Sequence, residues 1–500
     1  MLYMRMLLIM AVSLYTSRII LSALGVVDWG IYSVVGGFVS MFGFMNNAMA
    51  SASQRFLSFE IGKKNDGQLA NVFMMSVNIQ VILAAVILIL AETVGLWFVN
   101  TQLTIPPERL EAANWVYQFS MLAFIVNIAS VTSNASIIAH ERMKVFAIVS
   151  VVEVMLRLLI VFMIQYKGFD RLTFYAILMF VITLIIRSIY MIYCRRHFPE
   201  SNMRFFWDKK LLKTIMSYSV WSFWGSLAGM LYGQGINVLL NLFFGPVVNA
   251  ARGIAYQVKA NVDQFVSNFQ MAMNPQIVKS FAAGDLTYMH QLICRGAKYS
   301  FFLLYAISLP LILEMEAILS IWLKEVPDYT VIFARLVLIH SLVDCFSGTL
   351  VTSAQASGKI RLYQTLVGSL LIMNLPVSFL FLKVGGNPES TFYISICIAI
   401  VALFTRLALV KGLVHLSVTG FLRQAILPSL AVVALSGIFP VFTCYLMPYS
   451  LTRLLLVCFI SVLSVGLSIS VVGLSQSEKT VLFEKIKSVL LKSIGEHKAE

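Results

Sequence analysis

The sequence contains one stretch twice, first as Asn46-Asn-Ala-Met-Ala-Ser-Ala-Ser-Gln-Arg-Phe-Leu-Ser-Phe-Glu-Ile-Gly62 and again as Asn268-Phe-Gln-Met-Ala-Met-Asn-Pro-Gln-Ile-Val-Lys-Ser-Phe-Ala-Ala-Gly284. The two copies align without a gap and agree at both ends and at five positions between. Their separation is close to half the chain, which is far too long for a solenoid repeat. The sequence therefore predicts a duplicated bundle.

The duplication continues outward from this stretch. A second match joins Ala139-His-Glu-Arg-Met-Lys-Val-Phe146 to Ala356-Ser-Gly-Lys-Ile-Arg-Leu-Tyr363, with basic residues at both equivalent positions. Arg187 and Arg406 also correspond to within one position. Because these matches keep their order along the chain, they predict two pseudo-symmetric halves.

The composition is that of a membrane protein. Of the 500 residues 59% are hydrophobic and 12% are charged, and the mean hydropathy is +0.86. Soluble domains carry about a quarter of charged residues. Apolar runs long enough to cross a hydrocarbon core of about 30 Å recur along the whole sequence. We predict a polytopic helical membrane protein.

Several function classes find no support in the sequence. The six cysteines are scattered and form no Cys-x-x-Cys pair, so neither a disulfide framework nor a metal site is predicted. Gly62 and Gly67 have the spacing of a phosphate-binding loop, but Gln68 stands where its lysine belongs. No catalytic constellation appears, and we expect a non-enzyme without a cofactor. The formal net charge of +14 is interpreted as a topology signal, and no nucleic-acid partner is expected.

Apolar runs between charged or Pro/Gly breaks give roughly fourteen spans. The predicted fold is all-α, with two pseudo-symmetric six-helix lobes and a C-terminal helix pair. The expected parts are an N-terminal lobe at 1–195, a linker at 196–212, a C-terminal lobe at 213–412, the extra pair at 420–474, and an amphipathic tail at 475–500.

Charge sets the expected orientation. Alternate loops are rich in Lys and Arg, and the connection between the halves near 195–213 carries six such residues. The positive-inside rule places these loops and both termini in the cytoplasm. In the tail, apolar residues recur at helical spacing and lysines lie beside them, which predicts a helix on the cytoplasmic leaflet. A solvated tail is the alternative.

Ionisable residues inside spans are costly and are therefore candidate functional residues. In the span 249–280, five polar residues fall near one stripe at about 100° per residue. They are Arg252, Tyr256, Lys259, Asp263 and Gln270. A cationic stripe with one acid is expected to line a wet cavity. The alternative is that Lys259 and Asp263 form a structural i,i+4 pair.

Two further substrate-binding candidates lie in other spans. Arg18 is in the first span, where reaching outward to the membrane surface is an equal alternative. Asn237 belongs to the equivalent region of the second half, which is polar but uncharged.

Two pairs are candidates for coupling to H⁺ or Na⁺. Glu153 and Arg157 form an i,i+4 pair, for which a structural ion pair is the favoured interpretation. His340 and Asp344 lie one turn apart, and Asn127 is the repeat counterpart of Asp344. A proton relay is one interpretation of that pair, and a satisfied contact between helices is the other.

Arg187 and Arg406 lie one to two turns inside the predicted cytoplasmic ends of equivalent spans. Their long side chains can reach lipid headgroups from there, and this is the interpretation that the sequence favours.

The early part of the chain resembles a known transporter family. The resemblance is carried by Leu14-Tyr-Thr-Ser-Arg-Ile-Ile-Leu-Ser-Ala-Leu-Gly25, Asp28-Trp-Gly-Ile-Tyr-Ser-Val-Val-Gly-Gly37 and Ser51-Ala-Ser-Gln-Arg-Phe-Leu-Ser-Phe-Glu-Ile-Gly62. These stretches look like those of the Wzx-type O-antigen and capsule flippases. That family belongs to the MOP superfamily, which also holds multidrug (MATE) exporters and the lipid II flippase. The basic lead-in usual before the first span is nearly absent here, which leaves open a start upstream of Met1.

The resemblance implies two lobes around a central cavity in the bacterial inner membrane. It also implies alternating-access movement of an undecaprenyl-pyrophosphate-linked oligosaccharide from the cytoplasmic to the periplasmic leaflet. A polysaccharide polymerase and chain-length machinery are the implied partners, beside membrane lipids. Cationic side chains in a partly desolvated cavity suit a pyrophosphate.

Two other functions stay open at this point. A cation-coupled multidrug exporter of the same fold would favour an acidic cavity, whereas the first span offers Arg18 and no carboxylate. A scaffold for a glycan-synthesis complex would leave surface glycan intact after loss of the side-chain charge of Arg252, Lys259 or Arg18.

Overall fold

A computed structural model describes residues 42–101, 105–164, 170–202, 206–323, 326–476 and 478–480, together with scattered positions between 12 and 39. Within this part the chain is helical and contains no strand. This agrees with the hydrocarbon environment, in which an α-helix pairs its own backbone groups. Arg18 and the tail beyond residue 480 lie outside the described residues.

The described helices are numbered here in chain order. Those of the first half are α1 (Gly43–Gly62), α2 (Asp66–Thr101), α3 (Pro107–Ala129), α4 (Val131–Ala139), α5 (Met143–Met163) and α6 (Arg171–His197). Those that follow are α7 (Lys209–Phe244), α8 (Pro246–Ala282), α9 (Leu286–Leu313), α10 (Met315–Trp322), α11 (Thr330–Asp344), α12 (Ser347–Ser357), α13 (Arg361–Lys383), α14 (Ser390–Val414), α15 (Val418–Leu446) and α16 (Leu451–Gly473).

The predicted membrane class is confirmed by the length and composition of these helices. Of the described helices, nine are long and apolar enough to cross a membrane, or ten if α11 and α12 together form one broken span. That number is compatible with fourteen spans, and fourteen stays a prediction.

Contacts divide the chain into two compact units that do not coincide with the predicted lobes. Of the described residues, those within 1–231, 271–289 and 352–369 belong to the first unit, and those within 232–270, 290–351 and 370–480 belong to the second. The lobe boundaries drawn from the sequence stay a prediction.

Both halves of the chain break a helix at equivalent places. In the first half α3 ends at Ala129 and α4 begins at Val131, and in the second half α11 and α12 meet at a 40° bend. Buried Gln80 supports the first break, because its side-chain oxygen accepts hydrogen bonds from the backbone N–H and the hydroxyl of Thr132. A helix break inside a bundle requires such partners, since its free backbone groups are away from water.

The turns after α1 and α8 revise the alignment of the repeat. Lys64 and Gly284 both have positive φ, and each precedes a residue that caps the next helix. Asn65 accepts a hydrogen bond from the N–H of Gln68, as Asp285 does from that of Tyr288. At the turns the two halves therefore correspond with a shift of two residues from the gapless sequence match.

The first unit is closed at one end by four turns, which we call the turn end: 62–66, 139–143, 282–286 and 357–361. The buried side chain of Arg55 donates to the carbonyls of Gln355 at 3.1 Å and Ala356 at 3.0 Å. Gly358 is required beside it, because its φ is +74° and a Cβ would lie 2.6 Å from the Arg55 guanidinium.

A second contact at the turn end runs in the opposite sense. Lys279 of α8 donates to Glu141 at 2.6 Å, and Gln276 donates to the same carboxylate at 3.2 Å. Burial acts to raise the pKa of Glu141, but the hydrogen bonds from Lys279 and Gln276 and the charge of Lys279 outweigh it, so this pKa lies below its usual value. Each half of the chain thus holds a turn of the other.

Replacing Arg55 by Ala is expected to destabilise the protein, because two carbonyls lose a charged donor inside the bundle. The expected loss is about 2 kcal/mol, visible as a fall of the melting temperature of the purified protein in detergent. Arg196, which is exposed, provides the control, and Arg196→Ala is expected to leave the melting temperature nearly unchanged. Equal melting temperatures for the two variants would contradict the role given to Arg55.

Glu141→Gln is expected to remove a pH-dependent contribution to stability. A carboxylate whose pKa is lowered by folding stabilises the fold above its unfolded pKa of about 4.3, and this contribution is lost as the pH falls through the lowered value. The wild type should therefore melt at a higher temperature than Glu141→Gln at pH 7, and the difference should vanish in acid. The exposed Glu111 provides the control. If Glu111→Gln differs from the wild type in melting temperature by the same amount and with the same pH dependence, the effect is not specific to Glu141.

Candidate anion-binding site

The second unit gathers several of the predicted site residues around Arg252, on the second turn of α8. Arg252 is only 6% exposed. Its guanidinium donates to the carbonyl of Gly233 at 2.7 Å and to the side-chain oxygen of Asn237 at 3.3 Å, both on α7. The guanidinium also lies 4.1 Å from the ring centroid of Tyr256, which is a cation–π contact. The structure therefore brings Arg252, Tyr256 and Asn237 together in one group.

Lys259 lies two turns further along α8 and joins this helix to α11. Its ammonium pairs with the carboxylate of Asp263, one turn away, and donates to the hydroxyl of Ser341 at 2.8 Å. The i,i+4 pair left open by the sequence is thus present. Because Ser341 is also bound, Lys259 belongs to a contact between helices as well as to a pair on one helix.

His340 and Asp344 of α11 each contact a different helix. The hydroxyl of Tyr232 and the Nε2 atom of His340 are 3.0 Å apart. Arg406 of α14 donates to Asp344 at 3.3 Å and to the hydroxyl of Ser347 at 2.7 Å. The side chain of Asp344 is 48% exposed, whereas that of Arg406 is 9% exposed.

The position of Arg406 differs from the sequence-based interpretation. Its side chain does not reach outward to headgroups but turns inward to the break between α11 and α12. The physical reason is that the break places a carboxylate and a hydroxyl within reach of the guanidinium, and such partners offset the cost of a charge inside a membrane protein.

These contacts join five helices of the second unit, α7, α8, α11, α12 and α14. We call the resulting group the cationic cluster. Its charged members are Arg252, Lys259, Asp263, Asp344 and Arg406. Its uncharged members are Tyr232, Asn237, Tyr256, His340, Ser341 and Ser347. Three cations face two carboxylates, so the cluster carries a net positive charge.

Two guanidinium nitrogens in the cluster are buried without a partner. They are the Nε atoms of Arg252 and Arg406, for neither of which the described residues supply a hydrogen-bond acceptor. A buried donor without an acceptor is costly. An anion with several oxygens can accept from such donors, and Arg is the residue that best matches phosphate geometry.

Gln270 lies on the predicted stripe but outside the cluster. It is about 27 Å from Arg252 along α8, and it donates to the Ser300 hydroxyl and the Cys345 carbonyl, both at 3.1 Å. It packs against Gly348, where a Cβ would approach within 2.0 Å of the Gln270 amide oxygen. The structure thus gives Gln270 a packing role between helices.

The first half of the chain contains a weaker counterpart of the cluster. Arg187 donates to the side-chain oxygen of Asn127 at 2.6 Å. Asn127 also lines a cavity of about 220 Å³ that is reached by Tyr32 and Thr183. Since Arg187 and Asn127 are the repeat partners of Arg406 and Asp344, both halves place an arginine on a polar residue just before a helix break.

Glu153 and Arg157 lie apart from both groups. They form an ion pair at 2.6 Å on α5, and their side chains are 29% and 50% exposed. This geometry agrees with the structural pair that the sequence favours.

Sequence reasoning did not single out Tyr232, Ser341 or Ser347, and it placed Arg406 elsewhere. The two serines carry no signal of their own. The one available signal for Arg406 was the match of two repeat pairs, Arg187 with Arg406 and Asn127 with Asp344. Among the described residues, no group of His, Cys, Asp and Glu could hold a metal ion.

The fold is similar to solved transporters. An outward-facing multidrug resistance MATE family transporter of the MOP superfamily superposes with a TM-score of 0.72 at 12% identity, covering 83% of this chain and 94% of that one. A MATE transporter in the straight conformation gives 0.71 at 13% identity, covering 83% and 95%. A MOP superfamily transporter from Pyrococcus furiosus gives 0.70 at 12% identity, covering 83% and 94%, and the reverse polarity of its binding pocket is described as suggesting a different function.

Comparison with curated protein sequences gives no match. The profile of the family described as "Polysaccharide biosynthesis protein" matches residues 2–281, which is more than half of the chain. The chain therefore belongs to this polysaccharide biosynthesis family of Wzx-type flippases, and its fold is similar to that of MATE transporters.

Proposed function

We propose that this protein moves an undecaprenyl-pyrophosphate-linked oligosaccharide from the cytoplasmic to the periplasmic leaflet of the bacterial inner membrane by alternating access. Family and fold support a membrane transporter. The observation that carries the choice of cargo is the cationic cluster with its two unpartnered buried guanidinium nitrogens. A dense anion satisfies these donors and adds the negative charge that the cluster lacks.

The side chains around Arg252 and Lys259 offer groups that suit a diphosphate carrying a sugar. Arg252 and Lys259 are about 10 Å apart along α8. Tyr256, beside Arg252, offers a flat apolar face with a hydroxyl, and Asn237 offers an amide. A phosphate group at the cations leaves these neutral groups for the hydroxyls and rings of the first sugar.

A cation-coupled multidrug exporter is the second candidate, since multidrug transporters share the fold. The net positive charge of the cluster argues against it, because a cationic drug would be repelled there. Similarity of fold does not fix the cargo. The Pyrococcus furiosus transporter, with its reversed pocket polarity, illustrates this for another member of the superfamily.

Coupling to H⁺ or Na⁺ remains part of the proposal. Asp344 is the best-placed carboxylate, because about half of its side chain is open while Arg406 holds the other side. The positive charge of Arg406 beside it opposes the binding of Na⁺ there. A proton arriving at Asp344 would weaken its contact with Arg406 and free that guanidinium for the cargo.

We place both termini in the cytoplasm and expect a polysaccharide polymerase and chain-length machinery as partners.

Arg252→Ala is expected to reduce export of surface glycan in cells that lack their own flippase. Losing the charged hydrogen bonds to a phosphate should lower transport at limiting substrate about tenfold or more. Arg252→Lys keeps the charge but loses the planar set of guanidinium donors, so its glycan export should lie between that of the wild type and that of Arg252→Ala. Surface glycan is quantified by lectin labelling, at matched amounts of protein in the membrane.

The matched control is Lys411→Ala, which removes a cation from the exposed end of α14. It should export as the wild type does. Ethidium efflux, measured in the same cells, separates the two candidate functions. Normal glycan export by Arg252→Ala and Lys259→Ala would refute the site, and strong efflux that these variants abolish would favour the multidrug exporter.

A further inference from the structure

An apolar groove lies in the first unit between α1, α2 and the beginning of α7. It has a volume of about 600 Å³. Three helices form its walls, with the lining side chains Met45 and Met49, Ile82 and Val86, and Met216 and Val220 among them. Apart from Ser219, every lining side chain that the structure describes is apolar or aromatic.

The groove opens sideways, to the surroundings of the helices. Ile82, Val86 and Val220 line it and are 49%, 47% and 56% exposed. All three belong to helices that are long and apolar enough to cross a membrane. Exposed apolar side chains on such helices face hydrocarbon. The occupant that suits this groove is therefore a flexible apolar chain coming from the lipid.

One end of the groove has the features of a membrane surface. Trp207 lines it there and is 44% exposed, and Trp is typical of the boundary between lipid and water. The segment that carries Trp207 is tied to α2, because the Asn78 amide donates to the Phe206 carbonyl at 2.8 Å. This end is the one that the charge pattern of the sequence assigns to the cytoplasm.

Two lysines, Lys209 and Lys213, lie near the end of the groove that Trp207 lines. The α7 residues that line the groove fall within about 100° of the helix circumference. Lys209 lies within that sector and Lys213 about 20° beyond it, whereas Lys210 lies about 80° outside. Lys209 and Lys213 are exposed. Among the described residues, neither forms an ion pair, and the neighbouring carboxylate of Asp208 accepts a hydrogen bond from the backbone N–H of Lys210 at 2.7 Å. The groove mouth therefore carries two lysines and one carboxylate, which is a net positive charge.

We propose that this groove is the loading site for the polyprenyl chain of the substrate, with the diphosphate between Lys209 and Lys213. The inference rests on the proposed function. A long hydrocarbon chain cannot leave the membrane while its headgroup is carried, because each methylene costs free energy in water. The transporter must therefore accept the chain from the side. Methionine side chains adapt to an irregular, branched chain, and the lysines supply charge complementary to a diphosphate.

The test measures binding of undecaprenyl diphosphate, without sugars, to the purified full-length protein by native mass spectrometry. Lys209→Ala together with Lys213→Ala should weaken binding about thirtyfold. Met216→Trp, which fills the groove from its lipid-facing side, should also weaken it several-fold. Lys210→Ala is the matched control from the same turn and should bind as the wild type does. Retained melting temperatures show that the variants are folded.

Competition separates the carrier lipid from ordinary lipids. A tenfold excess of phosphatidylglycerol should leave most of the bound undecaprenyl diphosphate in place. Equal displacement by phosphatidylglycerol would overturn the proposal in favour of a general lipid groove, and unchanged binding in the double lysine variant and in Met216→Trp would overturn it as well. Both proposals are supported if Arg252→Ala loses glycan export but still binds undecaprenyl diphosphate at the groove. The groove proposal alone is refuted if the wild type exports glycan and the groove variants bind undecaprenyl diphosphate as the wild type does.

Discussion

A guanidinium placed among apolar helices must be hydrogen-bonded, and this constraint shapes the described parts of both halves of the chain. Arg406 meets Asp344 and Ser347 where one helix gives way to the next. Arg187 meets Asn127 just before the corresponding break in the first half. A charge in such surroundings is stable only with polar partners, and a helix break supplies them because it frees backbone and side-chain groups. The second half adds a carboxylate to this arrangement, and the cationic cluster is built around that addition.

The sequence was sufficient for the class of fold, and the reasons are physical. Hydrocarbon thickness determines the length of a span, and the distribution of Lys and Arg determines which loops are cytoplasmic. Both features can therefore be predicted from the local composition along the chain. The duplication was detectable because Ser58 and Phe59 recur with their neighbours as Ser280 and Phe281. The shift of two residues at the turns was not detectable, since a helix interior tolerates several registers, whereas the positive φ of Lys64 and Gly284 fixes one.

For the candidate site, the sequence was informative where one helix was enough. Spacing along α8 gives the direction of Arg252, Tyr256 and Lys259 around the helix axis, and the structure assembles these residues with α7 and α11. Spacing says nothing about distance along the axis or about partners on other helices. For this reason Gln270 shared the stripe but packs against Gly348. Arg406 was placed at the lipid surface for a similar reason, because its partners Asp344 and Ser347 come from another part of the chain.

The two reciprocal contacts at the turn end are alike in position and different in chemistry. Arg55 binds neutral carbonyls beside Gly358, whereas Lys279 binds the carboxylate of Glu141, and both turn residues have positive φ. An ancestor made of two identical halves would have held both turns in the same way. In the present chain, we expect acid or high salt to weaken the contact of Lys279 with Glu141 more than the contacts of Arg55 with the two carbonyls. Divergence after duplication has thus given the two equivalent contacts different sensitivities to pH and salt.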